Sequence, residues 1–398
     1  MSVATTNLPA IAGGRPAFDK LLPIVCPEGL PGEEFLQDIQ RIVSSRQLTN
    51  ANFVREFERA AAAYLGVPHC VAVSSCTAGL VLVLRALDLR GEVIVPSFTF
   101  HATAQSIVWN GLKPVFADCD PETFCISPAS VRDRLSSSTA AILAVHLFGN
   151  PAAVEELEEI AAHANIPLIF DAAHSFGSKV GDRHVGAFGA AEVFSFSPTK
   201  VLVAGEGGLV ATRDERLAQR LRAARNYGDA GNYDPELIGL NARMSEFHAA
   251  LALRGMAGLD HRISRRNEIR LRYIQRLSEV RGLSFQRIAS GSYSTCKDFS
   301  TLVDPNEFGE SRDWLYDALH KENIDVRRYF WPPVHRQKLF REACDGQPLR
   351  VTDLVSERVL SLPIYSSLRD EDVDKVAGAI LRAHEFARRS GMAKGRSV

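Results

Sequence analysis

Ile166-Pro167-Leu168-Ile169-Phe170 is an apolar run that ends in Asp171-Ala172-Ala173-His174. Further along, Phe194-Ser195-Phe196-Ser197-Pro198-Thr199-Lys200 ends in a lysine, and Gly205-Glu206-Gly207-Gly208 follows it. The first run, like most of those that follow, does not alternate with polar residues, which is the pattern of strands covered on both faces in a parallel sheet. Working outward, similar runs recur at 69–74, 92–96, 114–118, 141–146, 167–171, 192–197 and 208–212. Helical stretches at 78–87, 102–109 and 152–164 lie between them. This rhythm predicts a doubly wound α/β domain with a mostly parallel seven-stranded sheet, whose ligands gather at the carboxyl ends of the strands. Asp171, Ser74 and the turn from Ser195 to Lys200 all fall at such ends.

The flanking segments complete the organisation. Residues 1–30, rich in Pro, Gly and Ala, read as an arm, and a helical pattern occupies 31–65 with Phe53, Phe57, Ala60, Ala61 and Tyr64 at helical spacing. Residues 31–258 are assigned to the large domain. A long helix over 259–281 carries Arg262, Arg265, Arg266, Arg270, Arg272 and Arg276 among Ile263, Ile269 and Leu271, and reads as a bridge with a solvated charged face. A smaller α+β domain over 259–390 has a strand at 295–303 and helices at 312–321 and 370–386. The basic stretch from Arg388, ending in a tail at 391–398, reads as disordered.

Composition narrows the function classes. The 398 residues are 46% hydrophobic and 23% charged, enough to bury a full core. Lys plus Arg total 46 against 47 Asp plus Glu, so bulk charge offers no attraction to nucleic acid or an anionic membrane. Seven cysteines at 26, 70, 76, 119, 125, 296 and 344 form no CxxC pair, unlike a disulfide framework or zinc site, and no metal is expected. Met1 to Ala17 lacks the pattern of a signal peptide, and no apolar run has the length of a membrane span. A cytoplasmic soluble protein is expected.

The strand ends carry the chemistry. A carboxylate at the end of a core strand costs desolvation free energy unless a cation meets it, although Asp171 could also cap the following turn. A lysine after a serine-rich strand is ordinarily a surface residue; partly desolvated in a pocket it becomes a nucleophile and base. The pair fits pyridoxal phosphate: Lys200 condenses with the cofactor aldehyde and Asp171 holds a proton on the pyridine nitrogen. Ser74-Ser75-Cys76-Thr77 opens the next helix, where free N–H groups and the helix dipole favour an anion, and the Ser195 hydroxyl adds to that phosphate cup. Ordinary capping by Ser75 or Thr77 is the alternative. Phe100 is placed to stack on the ring or to serve as core, and His174 to meet the ring oxygen or to act as a structural hydrogen-bonder. Glycines 205, 207 and 208 let the backbone pass close to a ring. Arg327, Arg328, Tyr329 and His335 form either a surface basic cluster or a site for a diphosphate.

Taken together these residues resemble the sugar aminotransferases of the DegT/DnrJ/StrS family, pyridoxal phosphate enzymes of fold type I. The likeness runs from about residue 31 to about residue 373. Its ordered motifs are VREFE at 54–58, CTAGL at 76–80, PSFTFHAT at 96–103, DAAH at 171–174, SFSPTK at 195–200, GEGG at 205–208, GLNARMSE at 239–246, RRYFWPPVH at 327–335 and LSLP at 360–363. The resemblance implies Lys200 as the Schiff-base lysine, Asp171 as the partner of the pyridine nitrogen and His174 as the neighbour of the ring oxygen. It implies Cys76, Thr77 and Ser195 at the phosphate and Phe100 as the stacking aromatic. Asn241 matches an asparagine that reaches the phosphate from the other subunit, implying a homodimer with shared sites. Cys76 stands where the family often has Gly.

The implied activity is transfer of an amino group from L-glutamate to a nucleotide-linked keto-sugar, with a dTDP-4-keto-6-deoxyhexose foremost. A 3-keto-sugar or a keto-cyclitol of the scyllo-inosose type is the alternative acceptor. A regulatory sensor on the same fold has no need of the nucleophile, and the relatives that dehydrate sugars carry His in place of the lysine.

Overall fold

A computed structural model describes residues 8–30, 32–342, 346 and 348–394; Cys344, the first seven residues of the arm and the last four of the tail lie outside the described residues. The helical stretch expected over 31–65 is two helices, α1 (Glu33–Ser45) and α2 (Asn52–Leu65), parted where Arg46 and Asn50 take φ 58° and 51°. Then follow β1 (His69–Val73), α3 (Cys76–Ala86), β2 (Glu92–Pro96), α4 (His101–Trp109), β3 (Lys113–Ala117), α5 (Pro128–Arg134), β4 (Thr139–Val145), α6 (Val154–Ala164) and β5 (Leu168–Asp171). A short hairpin, β6 (Lys179–Val180) and β7 (Arg183–His184), precedes β8 (Ala191–Ser195) and β9 (Gly208–Thr212). The helix α5 was not legible, because Pro128 and the caps around it read as loop; Ser127 accepts from the Ser130 amide and Pro128 opens the first turn.

Seven strands form one sheet in the order β1-β9-β8-β5-β4-β2-β3. All neighbours are parallel except β9, which runs antiparallel to both β1 and β8. The register sets Asp171 beside Val145 of β4 and Val193 of β8, so the acid stands at the carboxyl edge of the central strands. Helices cover both faces. Leu80, Val83 and Ile107 pack on one side, and Phe98, Phe148 and Phe170 belong to an aromatic core on the other. At Gly79 of α3 an added Cβ would come within 2.6 Å of the Val193 side chain, so only glycine lets the helix lie this close to β8.

The chain continues through α7 (Glu215–Ala224), α8 (Glu246–Gly255) and α9 (Leu259–Leu277) to β10 (Leu283–Phe285), β11 (Ser292–Tyr293), β12 (Phe299–Val303), α10 (Pro305–Phe308), α11 (Arg312–Lys321), α12 (Arg350–Arg358), β13 (Val359–Leu362) and α13 (Asp370–Lys394). An antiparallel sheet β10-β12-β13 packs with α9, α11 and α13 around Tyr273, Phe299, Leu315 and Ile380. The ribbon β11-β6-β7 stitches this part to the loop that follows Asp171. The arm is bonded in place: Glu322 accepts from the amides of Ala10 and Ala17, and Leu22 bridges Ile324.

Three expectations need correction. The arginines of α9 do not form a solvated face. Arg266 is 1% exposed and donates to the carbonyls of Ile364, Cys296 and Lys297, while Arg265, Arg272 and Arg276 bind Asp370 or Asp374 of α13. A guanidinium carries five donors, so carbonyls and carboxylates of a packed neighbour replace its water. The basic stretch from Arg388 is helical as far as Lys394, extending α13 beyond residue 386. The strand expected over 295–303 begins only at Phe299, because Cys296 takes φ 47° and turns the chain toward the carboxyl edge of the large sheet. No described helix is long and apolar enough to cross a membrane. The six described cysteines are free thiols.

Candidate active site

The site grows from the end of β5. Asp171 is buried, and its carboxylate accepts from the Thr103 hydroxyl at 2.8 Å and from the Ala173 amide at 3.0 Å. Burial raises this carboxyl above the usual carboxylate range; the Thr103 hydroxyl, the Ala173 amide and the Lys200 ammonium pull the other way. Thr103 lies in the first turn of α4 and shares a 3.1 Å contact with Thr99, so a two-hydroxyl relay orients the acid. Sequence reading missed Thr103; its signal was a polar residue on the inward face of an apolar helix, three positions after Phe100.

Lys200 follows β8, its amide donating to Ser197. Burial brings its amine down to about 8, and the positive charge of Lys297 pushes the same way, against Asp298, Cys76 and Asp171. A lysine in this state holds a substantial neutral fraction near neutral pH and is a usable nucleophile and base. His174 is forced neutral by burial, reinforced by Lys200 and Lys297. Its Nδ1 accepts from the Phe148 amide at 3.1 Å, which assigns the proton to Nε2 and makes that nitrogen a donor. The imidazole stacks on Phe148, 12° from coplanar.

The start of α3 supplies an anion seat. Ser75 is the N-cap, its hydroxyl accepting from the Ala78 amide at 3.1 Å; the amides of Cys76 and Thr77 have no protein acceptor among the described residues. The Ser75 hydroxyl thus caps the helix, the alternative left open by its sequence. Gly208, paired with Ser195 across β8 and β9, closes this corner: an added Cβ would lie 2.5 Å from the Ser75 carbonyl carbon and 2.6 Å from the Cys76 nitrogen. The Cys76 thiol points inward, 3.8 Å from Asp171 Oδ1 and 3.5 Å from the Val193 carbonyl oxygen; burial, then Asp171, raises it well above an ordinary thiol, so it stays protonated.

Phe100, the N-cap of α4, is 49% exposed and stands on a cleft of about 310 Å³ with Tyr316, Arg327, Tyr329, Phe330 and Trp331. The Arg327 guanidinium pairs with Asp325, and that of Arg328 lies 3.9 Å from the Tyr316 ring centroid. The structure brings Arg327, Arg328 and Tyr329 to the cleft but not His335. Its Nδ1 is 2.6 Å from the Ser97 hydroxyl and its Nε2 is 3.2 Å from Asp353, so both nitrogens are engaged and it serves as a strut beneath the rim. Asn241 is exposed on the strand-like stretch bridged to Asn226.

Lys297 and Asp298 were also missed. They form a buried ion pair, Nζ to the two carboxylate oxygens at 2.8 and 3.0 Å, on the loop that enters the site before β12. A charged doublet inside an otherwise apolar strand pattern was the available signal.

The chain as a whole is similar to known proteins. The chain is 32% identical over 372 residues to the dTDP-4-amino-4,6-dideoxy-D-glucose transaminase of Shigella dysenteriae, covering 91% of this chain and 99% of that protein. It is 33% identical over 356 residues to the UDP-N-acetyl-3-dehydro-α-D-glucosamine 3-aminotransferase of Acidithiobacillus ferrooxidans, covering 88% and 94%. Its fold matches the crystal structure of DesI, determined in the presence of its TDP-sugar product, with a TM-score of 0.89, 36% identity and 99% of each chain covered. Residues 31–381 match the model of one family throughout, and the chain belongs to it: the DegT/DnrJ/EryC1/StrS aminotransferases.

Proposed function

We propose that this aminotransferase binds pyridoxal phosphate at Lys200 and moves an amino group from L-glutamate to a nucleotide-linked keto-sugar, foremost a dTDP-4-keto-6-deoxyhexose. The observation that carries the reading is the placement of buried Asp171 at the carboxyl end of β5 and of partly buried Lys200 in the turn that follows the adjacent strand β8, each acting on the other's charge. The residues fit the cofactor. A buried carboxyl raised by burial suits a ring N–H, the neutral His174 offers Nε2–H to a phenolic oxygen, and two free amides at the start of α3 with the Ser195 hydroxyl suit a phosphate. Phe100 would cover the ring.

When bound, pyridoxal phosphate supplies an aldehyde that takes up the amino group and a ring that draws electrons from the adjacent carbon. The chain supplies the proton handling. Asp171 keeps a proton on the ring nitrogen, and Thr103 with the Ala173 amide keeps its carboxylate aimed there. Lys200 Nζ, unprotonated, takes the proton from the donor Cα and returns one to the cofactor side; on the ketone it moves them in reverse. Two half-reactions through one site imply ping-pong kinetics.

Arg327 and Arg328, beside Tyr329 and the other aromatic rings of the cleft, suit the diphosphate and base of a sugar nucleotide. The acceptor follows the relative that acts on a dTDP-linked 4-amino sugar; the 3-aminotransferase relative of similar identity keeps a 3-keto-sugar as the second reading. We further propose a homodimer in which Asn241 reaches the partner's phosphate seat. Tyr227, Tyr233, Ile238 and Leu240, all exposed beside Asn241, support a second copy as their cover. The division at residues 258 and 259 is part of the same reading, supported by the separate core around Tyr273.

The test is a half-reaction screen. The aminated form of the protein is challenged with dTDP-, UDP- and GDP-keto-sugars and with scyllo-inosose, and recovery of the aldehyde form is followed by absorbance. Response to a dTDP-4-keto-sugar above the others is expected; response to scyllo-inosose alone overturns the assigned substrate.

A further inference from the structure

The arm does not end at its contact with Glu322. Phe18 donates its amide to the Glu322 carbonyl, and the Asn323 side chain donates to the Phe18 carbonyl at 2.7 Å. Leu22 donates to the Asn323 carbonyl at 2.8 Å and accepts from the Asp325 amide at 2.9 Å, so it runs parallel to Ile324. Two residues on, the Ile24 amide meets Asp325 Oδ2 at 3.5 Å, and the Ile24 carbonyl accepts from Ile364. On the far side of the same stretch, Arg327 and Ser361 exchange both backbone hydrogen bonds, at 3.2 and 2.7 Å. Residues 324–327, which lead into the cleft, are thus held between the arm and β13.

Asp325 is where arm and cleft meet. Its carboxylate pairs with Arg327 Nη1, which also donates to the Val326 carbonyl at 3.4 Å, and His320 Nε2 stands 3.9 Å from Oδ1. The Asp325 side chain is 13% exposed and that of Arg327 43%: the acid lies behind the cleft wall, and the arginine lines it. Leu22 and Ile24 are buried, and an apolar residue at 325 would join them without the cost of desolvating a carboxylate. A strap alone has no need of an acid there. A guanidinium on a long flexible stem does need aiming, and holding it before the ligand arrives leaves less rotamer freedom to lose on binding. With five donors, it can give Nη1 to Asp325 and still meet phosphate oxygens.

We propose that the arm belongs to the sugar-nucleotide site: it fixes Asp325, and Asp325 is a positioning residue that aims the Arg327 guanidinium into the cleft. This rests on Arg327 meeting the diphosphate, as in the proposed function. The family match begins at residue 31, so the role falls on a segment that the family pattern does not cover.

The experiment is a double-mutant cycle on the amination of a dTDP-4-keto-6-deoxyhexose. Asp325→Ala raises KM for the sugar nucleotide about tenfold, with kcat and the glutamate half-reaction near wild type. Asp325→Asn keeps the shape and an acceptor oxygen; it raises KM about threefold and serves if the alanine variant does not fold. Introduced into Arg327→Ala, Asp325→Ala adds nothing further, because it acts only through that guanidinium. The arm itself is read by hydrogen exchange. Saturating dTDP slows exchange in the peptide holding Leu22 and Ile24 in wild type but not in Asp325→Ala, since coupling between two sites is reciprocal. An arm that serves stability alone would lower the unfolding midpoint on these substitutions and leave KM where it was. KM unmoved in both Asp325 variants, a rise that multiplies with that of Arg327→Ala, or an arm peptide indifferent to bound dTDP overturns the inference while wild-type activity stands. A wild type that aminates no sugar nucleotide takes the proposed substrate and this inference down together.

Discussion

The floor of the site and its rim are built by different means. On the floor, Asp171, His174 and the start of α3 are held by backbone amides and a buried hydroxyl at the ends of sheet strands, out of water. On the rim, Arg327 and Arg328 stand on a loop, half-buried and paired with Asp325 or laid on Tyr316. Interactions in a low-dielectric floor are strong and geometrically fixed, whereas exposed pairs are weak and exchangeable. The difference suggests a division of labour: the floor fixes the chemistry, and the rim can change substrate without disturbing it.

Substitutions on either side sharpen this contrast. Asp171→Asn keeps the shape of the floor but loses the charge, and a loss in kcat of roughly 10²–10³-fold is expected. A loss below tenfold would show that the floor does not depend on this carboxylate. Arg327→Ala should raise KM for the sugar nucleotide about 10–100-fold with kcat nearly unchanged, the value of one charge-assisted phosphate contact. A fall in kcat with KM unmoved would erase the distinction between rim and floor. Thr103→Val removes one hydrogen bond to Asp171, and about a tenfold loss in kcat is expected, with glutamate KM little changed. The smallest kinetic effect belongs to His335→Ala. Both constants should stay near wild type while stability falls by about 1–3 kcal/mol, read from denaturant unfolding, because the ring holds Ser97 and Asp353 rather than substrate.

Much of the floor was legible because strand ends punctuate a sequence strongly. An apolar run closing on Asp171 and another closing before Lys200 mark the carboxyl edge of the sheet, and both residues arrive there. Thr103 and Lys297 were harder to see. Thr103 depends on which face of α4 turns inward, and Lys297 depends on a backbone turn at Cys296 that no strand pattern announces. The arginines of α9 misled for a related reason: charge along a helix predicts water, and only the packing of α13 supplies the carboxylates that replace it. His335 looked like a phosphate ligand by its neighbours in sequence, whereas its partners, Ser97 and Asp353, come from distant parts of the chain.

The most direct test of the central claim is the visible spectrum of the purified protein with pyridoxal phosphate, before and after L-glutamate, in wild type and Lys200→Ala. Wild type should show a visible band that shifts on adding glutamate, and Lys200→Ala no such glutamate-responsive band. A wild-type protein that stays colourless and takes up no added cofactor, or a Lys200→Ala protein that keeps the band and its response, would contradict it.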